Sequence, residues 1–263
     1  MILDTFQNFI KHWDGNTDSY LSYIKNFPEL FEKIKKDYGP SWKDYLRLLS
    51  EIDIKDLRQA YGSLKEALPH VSTEIEKIFG VSDDTYNIVI YIGLENGAGW
   101  VTEYAGKPSI LFGLEAIAKL EWQSKTAGLA AHEFGHLVHW FKRNENIEKF
   151  EDDPILWLYT EGFAQKIEDM ISGRPWHLEY DNWFEWCTEN EVLLKREFAR
   201  RIGKKMPLNP FFGSWYEIFG MKFTGYYLGY KFIDWLEESL SLDQIGVMDK
   251  ENIKRSILKF LSF

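Results

Sequence analysis

With 263 residues, 45% of them hydrophobic and 27% charged, the chain has the apolar material for a core of its own and is not a disordered polymer. A net charge of −10 gives it no general pull toward phosphate backbones or anionic lipid, and no stretch approaches about 18 consecutive apolar residues, so neither nucleic acid nor a membrane is an expected partner. Cys187 is the only cysteine, which rules out an intrachain disulfide, and the N-terminus lacks the basic start and apolar run of a secretory signal; both fit a cytoplasmic protein.

Residues 1–80 read as helical. Apolar residues recur at three and four spacing in LDTFQNFIKHW, in YLSYIKNFPELFEKIKKDY and in WKDYLRLLSEIDIKDLRQAYGSLKEAL, punctuated by Gly39-Pro40 and Pro69. The texture changes at Tyr86, where YNIVIYIGL is short and β-branched. The ENG that follows is a hairpin-type turn, AGWVTEYAG suits the returning strand, and PSILFGL a third. Helical periodicity then resumes over about 114–121, 124–143, 154–172, 176–203, 214–240 and 249–262, with loops near 144–153 and 204–213. The order predicts an α+β fold, mostly helical, with a small antiparallel or mixed sheet. The expected organisation is a helical N-terminal region over 1–80 and one compact domain over 81–263.

Chemistry concentrates in AGLAAHEFGHLVHWFKR. His132 and His136 are four apart, so on a helix they project from one face, one turn above the other, and can offer two imidazole nitrogens to zinc. Glu133 beside them can take a proton from an activated water and pass it to a leaving amine. Two helix-face histidines satisfied by hydrogen bonds are the plain alternative.

The third donor decides between these readings. DDPILWLYTEGFAQKIEDMISG predicts a helix with Asp153 as N-cap, Pro154 in the first turn and Gly173 as the stop. Glu161 stands in its middle among Trp157, Leu158, Phe163, Ala164 and Ile167, where a carboxylate is costly unless paired or bound to metal. An exposed carboxylate is the competing reading. The small Gly162 and Ala164 beside it would let this helix approach the histidine-bearing one. His139 is a rival ligand seven residues from His132, but three donors from one straight helix would spread over about 10 Å along the axis, so a supporting role is expected for it. His177 and His70 carry only structural readings.

His-Glu-x-x-His followed, 24 residues after the second histidine, by Glu-Gly-Phe-Ala resembles the gluzincin zinc peptidases, in which the downstream glutamate completes the metal site. AAHEFGHLVH, YTEGFAQKI and FTGYYLGYKFIDWL together are similar to the YjaZ-like family of zinc-dependent proteases, over roughly Tyr86 to the C-terminus. The resemblance implies a zincin-type active-site helix, a Zn2+ ion on His132, His136 and Glu161, and a peptide or protein substrate. It also implies a hydroxyl donor for the oxyanion, for which Tyr226 is preferred to Tyr230, and an edge strand that binds the substrate backbone, for which Gly97, Ala98 and Gly99 are candidates. Thermolysin-like members carry an Asp shortly after the third ligand; here Gln165 occupies that region, with Glu168 or Asp169 as replacements. A zinc protein without hydrolytic activity, acting through protein contacts, is the second reading, and a metal-free helical interaction module the third.

Overall fold

The computed structural model describes residues 1–95 and 97–262. Close contacts group the chain into two compact units, Met1–Ala130 and Ala131–Phe263. The division does not fall near residue 80, because the first residues of the chain are part of the sheet. Strand β1 (Ile2–Asp4) runs parallel to β2 (Asn87–Tyr91), with Ile2 opposite Ile88 and Asp4 opposite Ile90.

The sheet is mixed and four-stranded, in the order β1-β2-β4-β3, with β3 over Gly99–Tyr104 and β4 over Lys107–Gly113. The expected hairpin between the strand at Tyr86 and AGWVTEYAG does not form. β2 instead pairs in parallel with β4, and β3 folds back antiparallel on β4. Side-chain pattern explains the order: β2 is buried at every position and Ile110, Leu111 and Phe112 of β4 are buried too, as central strands covered on both faces must be. β3 mixes buried with open positions and takes the edge. Ala105 and Gly106, both at positive φ, make the tight two-residue turn into β4. Asn96, in the ENG turn expected from the sequence, lies outside the described residues.

Around the sheet the first unit holds α1 (Phe6–His12), α2 (Thr17–Ile24), α3 (Pro28–Tyr38), a 3-10 stretch over Gly39–Glu51, α4 (Ile54–Phe79) and α5 (Leu114–Lys119). α4 runs through Pro69 without ending. Asp53 caps its start, Gly80 at φ 70 its end, and a buried stripe of Leu57, Ala60, Leu64, Leu68, Val71 and Ile75 outweighs the hydrogen bond that proline removes.

The second unit is helical: most of α6 (Thr126–Arg143), then α7 (Ile147–Phe150), α8 (Trp157–Ser172), α9 (Trp183–Glu189), α10 (Glu191–Gly203), α11 (Thr224–Glu237), α12 (Leu242–Gly246) and α13 (Lys250–Phe260). Gly173 ends α8 as expected, at φ 66, but Asp153 caps a separate 3-10 turn over Pro154–Leu156, its carboxylate accepting from the Ile155 N–H at 3.1 Å, and α8 itself starts at Trp157. Two expected helices are shorter than their periodicity suggested. The stretch 176–182 is irregular and ends on Asp181 and Asn182 in the left-handed region, and 213–223 is irregular up to Phe223. The fold class is thus α+β and mostly helical. No helix among the described residues is long and apolar enough to cross a membrane.

Candidate metal centre

Helices α6, α8 and α11 meet where side chains are missing. A Cβ on Gly162 would lie 2.3 Å from the Gly229 carbonyl oxygen, so α8 and α11 touch backbone to backbone. A Cβ on Gly135, inside the His-Glu-Phe-Gly-His run, would lie 2.7 Å from Cα of Ala164. The close approach of α8 to the histidine-bearing helix is therefore made by Ala164 and Gly135, while Gly162 serves α11.

That approach brings three donor atoms together. Nε2 of His132 lies 3.2 Å, and Nε2 of His136 3.3 Å, from Oε2 of Glu161. Donors about 2.0–2.1 Å from a tetrahedral ion stand about 3.3–3.4 Å from one another, so the spacing suits zinc or a similar divalent ion. Burial draws the His132 imidazole down to about 4, the neutral form a ligand requires. Burial also works against the charged forms of the other two, but each is rescued by its partner. The Glu161 carboxylate lifts His136 to about 9, and His136 with His132 holds Glu161 well below the usual carboxylate range. The set favours a positive charge at its centre, which a divalent cation supplies with both imidazoles neutral.

Glu133, next along α6, is buried, and its Oε2 has no hydrogen-bond partner among the described residues. Burial pushes its carboxyl up to about 8. A further carboxylate, Glu151, follows α7 in what the sequence presents only as a loop. Burial and then Glu161 push it up to about 7.

Glu168 is the carboxylate behind His132. Its Oε2 lies 3.7 Å from Nδ1 of His132, 2.8 Å from Nδ1 of His177 and 2.7 Å from the Gln165 amide nitrogen, while its Oε1 accepts the His177 N–H at 2.7 Å. His177 thus belongs to the support of the site, with its ring centroid 5.0 Å from that of His132. Periodicity hid this by running a helix through 176–182, and nothing in the sequence set His177 apart. Asp169, the other replacement considered, is engaged elsewhere: it accepts from Trp176 Nε1 at 2.9 Å and from the Tyr230 hydroxyl at 3.1 Å.

His139 turns away from the three donors. Its Nε2 is 3.1 Å from the Tyr159 hydroxyl, which itself donates to the Ile245 carbonyl, and its ring stacks on Phe163 at 4.3 Å. His70 is exposed on α4. Of the two tyrosines on α11, Tyr226 comes to the cluster, its ring 5.6 Å from His132, and Tyr230 is held at Asp169. Burial, then Glu161, Glu133 and Glu151, keep the Tyr226 phenol protonated far above its ordinary pKa. Gly97, Ala98 and Gly99 belong to the first unit. Gly99 opens the edge strand β3, and the Ala98 carbonyl accepts the Gly113 N–H at 3.2 Å.

No protein-family model, no curated protein and no solved structure matches the chain.

Proposed function

We propose that the protein is a zinc-dependent peptidase of the gluzincin type, similar in plan to the YjaZ-like family, acting on a peptide or protein substrate. The observation that carries this reading is the meeting of His132, His136 and Glu161 at tetrahedral spacing, beside a buried Glu133 with an unpaired carboxylate oxygen. When bound by those three side chains, zinc would supply Lewis-acid polarisation of the scissile carbonyl and of a water at neutral pH. Glu133 takes the proton of the attacking water and returns it to the leaving nitrogen; an apolar setting makes it the stronger base for that task. Tyr226 directs its hydroxyl proton at the developing oxyanion. Glu168, clamped by Gln165 and His177, holds the His132 ring in its orientation. The single buried Cys187 fits the cytoplasm, which is part of the same proposal.

A zinc protein without hydrolytic activity is the competing reading. Structural zinc sites are closed by four protein ligands. The donor set here numbers three, with a carboxylate of raised basicity next to it, and that favours the enzyme. Metal analysis of protein purified without chelators, beside a broad peptide-cleavage profile, tests both. Zinc with turnover supports the peptidase, zinc with no cleavage of any peptide supports the binding protein, and no zinc removes both.

Two expected results bear on the supporting residues. Glu168→Gln should weaken zinc binding by about 10–100-fold in chelator competition, the usual cost of losing an outer carboxylate. Unchanged affinity would leave Glu168 only as a brace for the turn at His177. Tyr226→Phe should lower kcat by about 10²-fold with KM little altered, as for loss of one oxyanion donor. Tyr230→Phe should leave kcat near the parent value, because that hydroxyl is bound to Asp169. The reverse result would exchange the roles of the two tyrosines.

A further inference from the structure

The stretch between the 3-10 turn Asn209–Phe211 and α11 holds an arrangement that the chemistry above does not use. Three large apolar side chains within five residues stand open to solvent: Trp215 is 74%, Tyr216 40% and Phe219 51% exposed. Ile218 and Met221 close a two-residue hairpin, the Ile218 N–H donating to the Met221 carbonyl at 2.9 Å and the Met221 N–H to the Ile218 carbonyl at 3.1 Å. Its turn residues are Phe219 at φ 54 and Gly220 at φ 85. Both conformations are left-handed, and Asn or Asp before the glycine is the low-energy choice there. Phenylalanine at this position is strained, and with half its surface in solvent it gains little from burial. Folding does not account for it, whereas strain of this kind collects at binding sites.

The stretch leads back to the candidate centre inside the same unit. Phe212 packs on Tyr226 with ring centroids 5.7 Å apart, and fills the space that a side chain at Gly225 would need. Phe223 lies 6.0 Å from Tyr226, and Tyr226 lies 5.6 Å from His132. Phe212 and Phe223 flank the hairpin in sequence, so both of its ends are anchored on the tyrosine that packs against His132.

We infer that the 213–221 hairpin is an aromatic subsite that takes a bulky apolar side chain of an extended polypeptide held at the metal centre. This rests on the peptidase reading and narrows it to substrates with large apolar residues. Two other occupants fit the observations less well. Full aromatic side chains bury about 150–250 Å² each, so the exposed parts of these three amount to roughly 250–400 Å². A stable dimer needs about 800 Å² per partner. A membrane-docking loop would need basic residues around its aromatic tip, and the stretch 209–223 carries one lysine and one glutamate in a chain of net charge −10.

The test separates binding from turnover. Zinc-loaded Glu133→Gln protein is titrated by fluorescence anisotropy with two labelled decapeptides of Gly, Ser and Ala, one with a central Phe and one with Ala in its place. The Phe peptide is expected to bind about tenfold or more tightly than the Ala peptide. Adding Trp215→Ala and Phe219→Asn should bring that ratio below about threefold by weakening the Phe peptide alone, since one apolar contact accounts for the preference. Asn suits the left-handed turn, so Tm should hold or rise in Phe219→Asn while binding falls, a combination that a purely structural Phe219 would not produce. An undiminished ratio, or equal affinity for both peptides in the parent, would overturn the subsite. So would binding to phosphatidylcholine vesicles, or self-association, that Trp215→Ala removes. Peptide preference in a protein that binds no zinc would support the subsite and count against the metal reading.

Discussion

Replacing His132, His136 or Glu161 by alanine is expected to take the protein from close to one zinc per chain to little or none. Each residue supplies one of three donors, and both imidazole donor atoms lie within 3.3 Å of the shared Glu161 oxygen. The effect should exceed the about 10–100-fold that follows loss of an outer partner, because a bond to the ion itself is lost. Glu161→Ala is the most informative of the three. It removes the only negative charge in the donor set and leaves two neutral imidazoles, with no charge to offset that of the cation. Metal content after gel filtration, and affinity from competition with a chromophoric chelator, measure the change. A rival arrangement exists in the same unit: His132, Glu168 and His177 also lie within reach of one another. Glu168 there is already engaged by Gln165, by the His177 ring and by the His177 N–H. Full zinc in Glu161→Ala, with loss in His177→Ala, would move the ion to that second set and remove the gluzincin assignment.

Local chemistry made parts of this site readable from sequence, and long-range pairing hid the rest. The end of α8 follows from Gly173, and the 3-10 turn that leads into it from Asp153 and Pro154, residues whose preferences act within a single turn. Helix geometry puts His132 and His136 on one face, while the choice of Glu161 as their partner came from its apolar setting and from the gluzincin resemblance. The strand β1 was not readable: Ile2, Leu3 and Asp4 gain their partner from residues 88–90, and three residues have no period of their own. The sheet order turned on which strands are covered on both faces. Continuous burial in β2 and β4 against the mixed pattern of β3 carries that information, but it outweighs the pull of a nearby turn only in the folded sheet. At Pro69 the error ran the other way, a local breaker overruled by a six-residue buried stripe. His177 and the hairpin at Phe219 sit in stretches whose apolar residues happen to repeat at helical spacing. Their backbones are set instead by Asp181 and Asn182 and by Phe219 and Gly220 at positive φ.

Small residues illustrate the same division. Gly135, Gly162 and Gly229 read as weak points in helices, each costing about 1 kcal/mol relative to alanine in isolation. In the fold they are the contact surfaces themselves, with α8 seated on α11 and α6 on α8 through them. The distance between the histidines and Glu161 is therefore set by glycines as much as by the ligands, and Gly135 lies inside the motif that supplies two of those ligands.

Glu133→Gln is expected to leave zinc content and folding intact and to slow peptide cleavage by at least about 10²-fold, within the about 10²–10⁴-fold that a positioned general base contributes. Glu133 is not among the three converging donors, so zinc should stay. Glutamine keeps the volume of the buried side chain and its hydrogen-bonding capacity, so the melting temperature should change little. It cannot accept the proton of the attacking water, and that is the step the variant removes. Loss of activity at unchanged or higher Tm would then separate a catalytic role from a structural one. The measurements are metal content, thermal melting and kcat/KM on one peptide that the parent cleaves. Equal hydrolysis by parent and variant would sink the assignment of Glu133 as the base. A parent that holds one zinc and cleaves nothing in a broad peptide set would make the non-catalytic zinc protein the better reading.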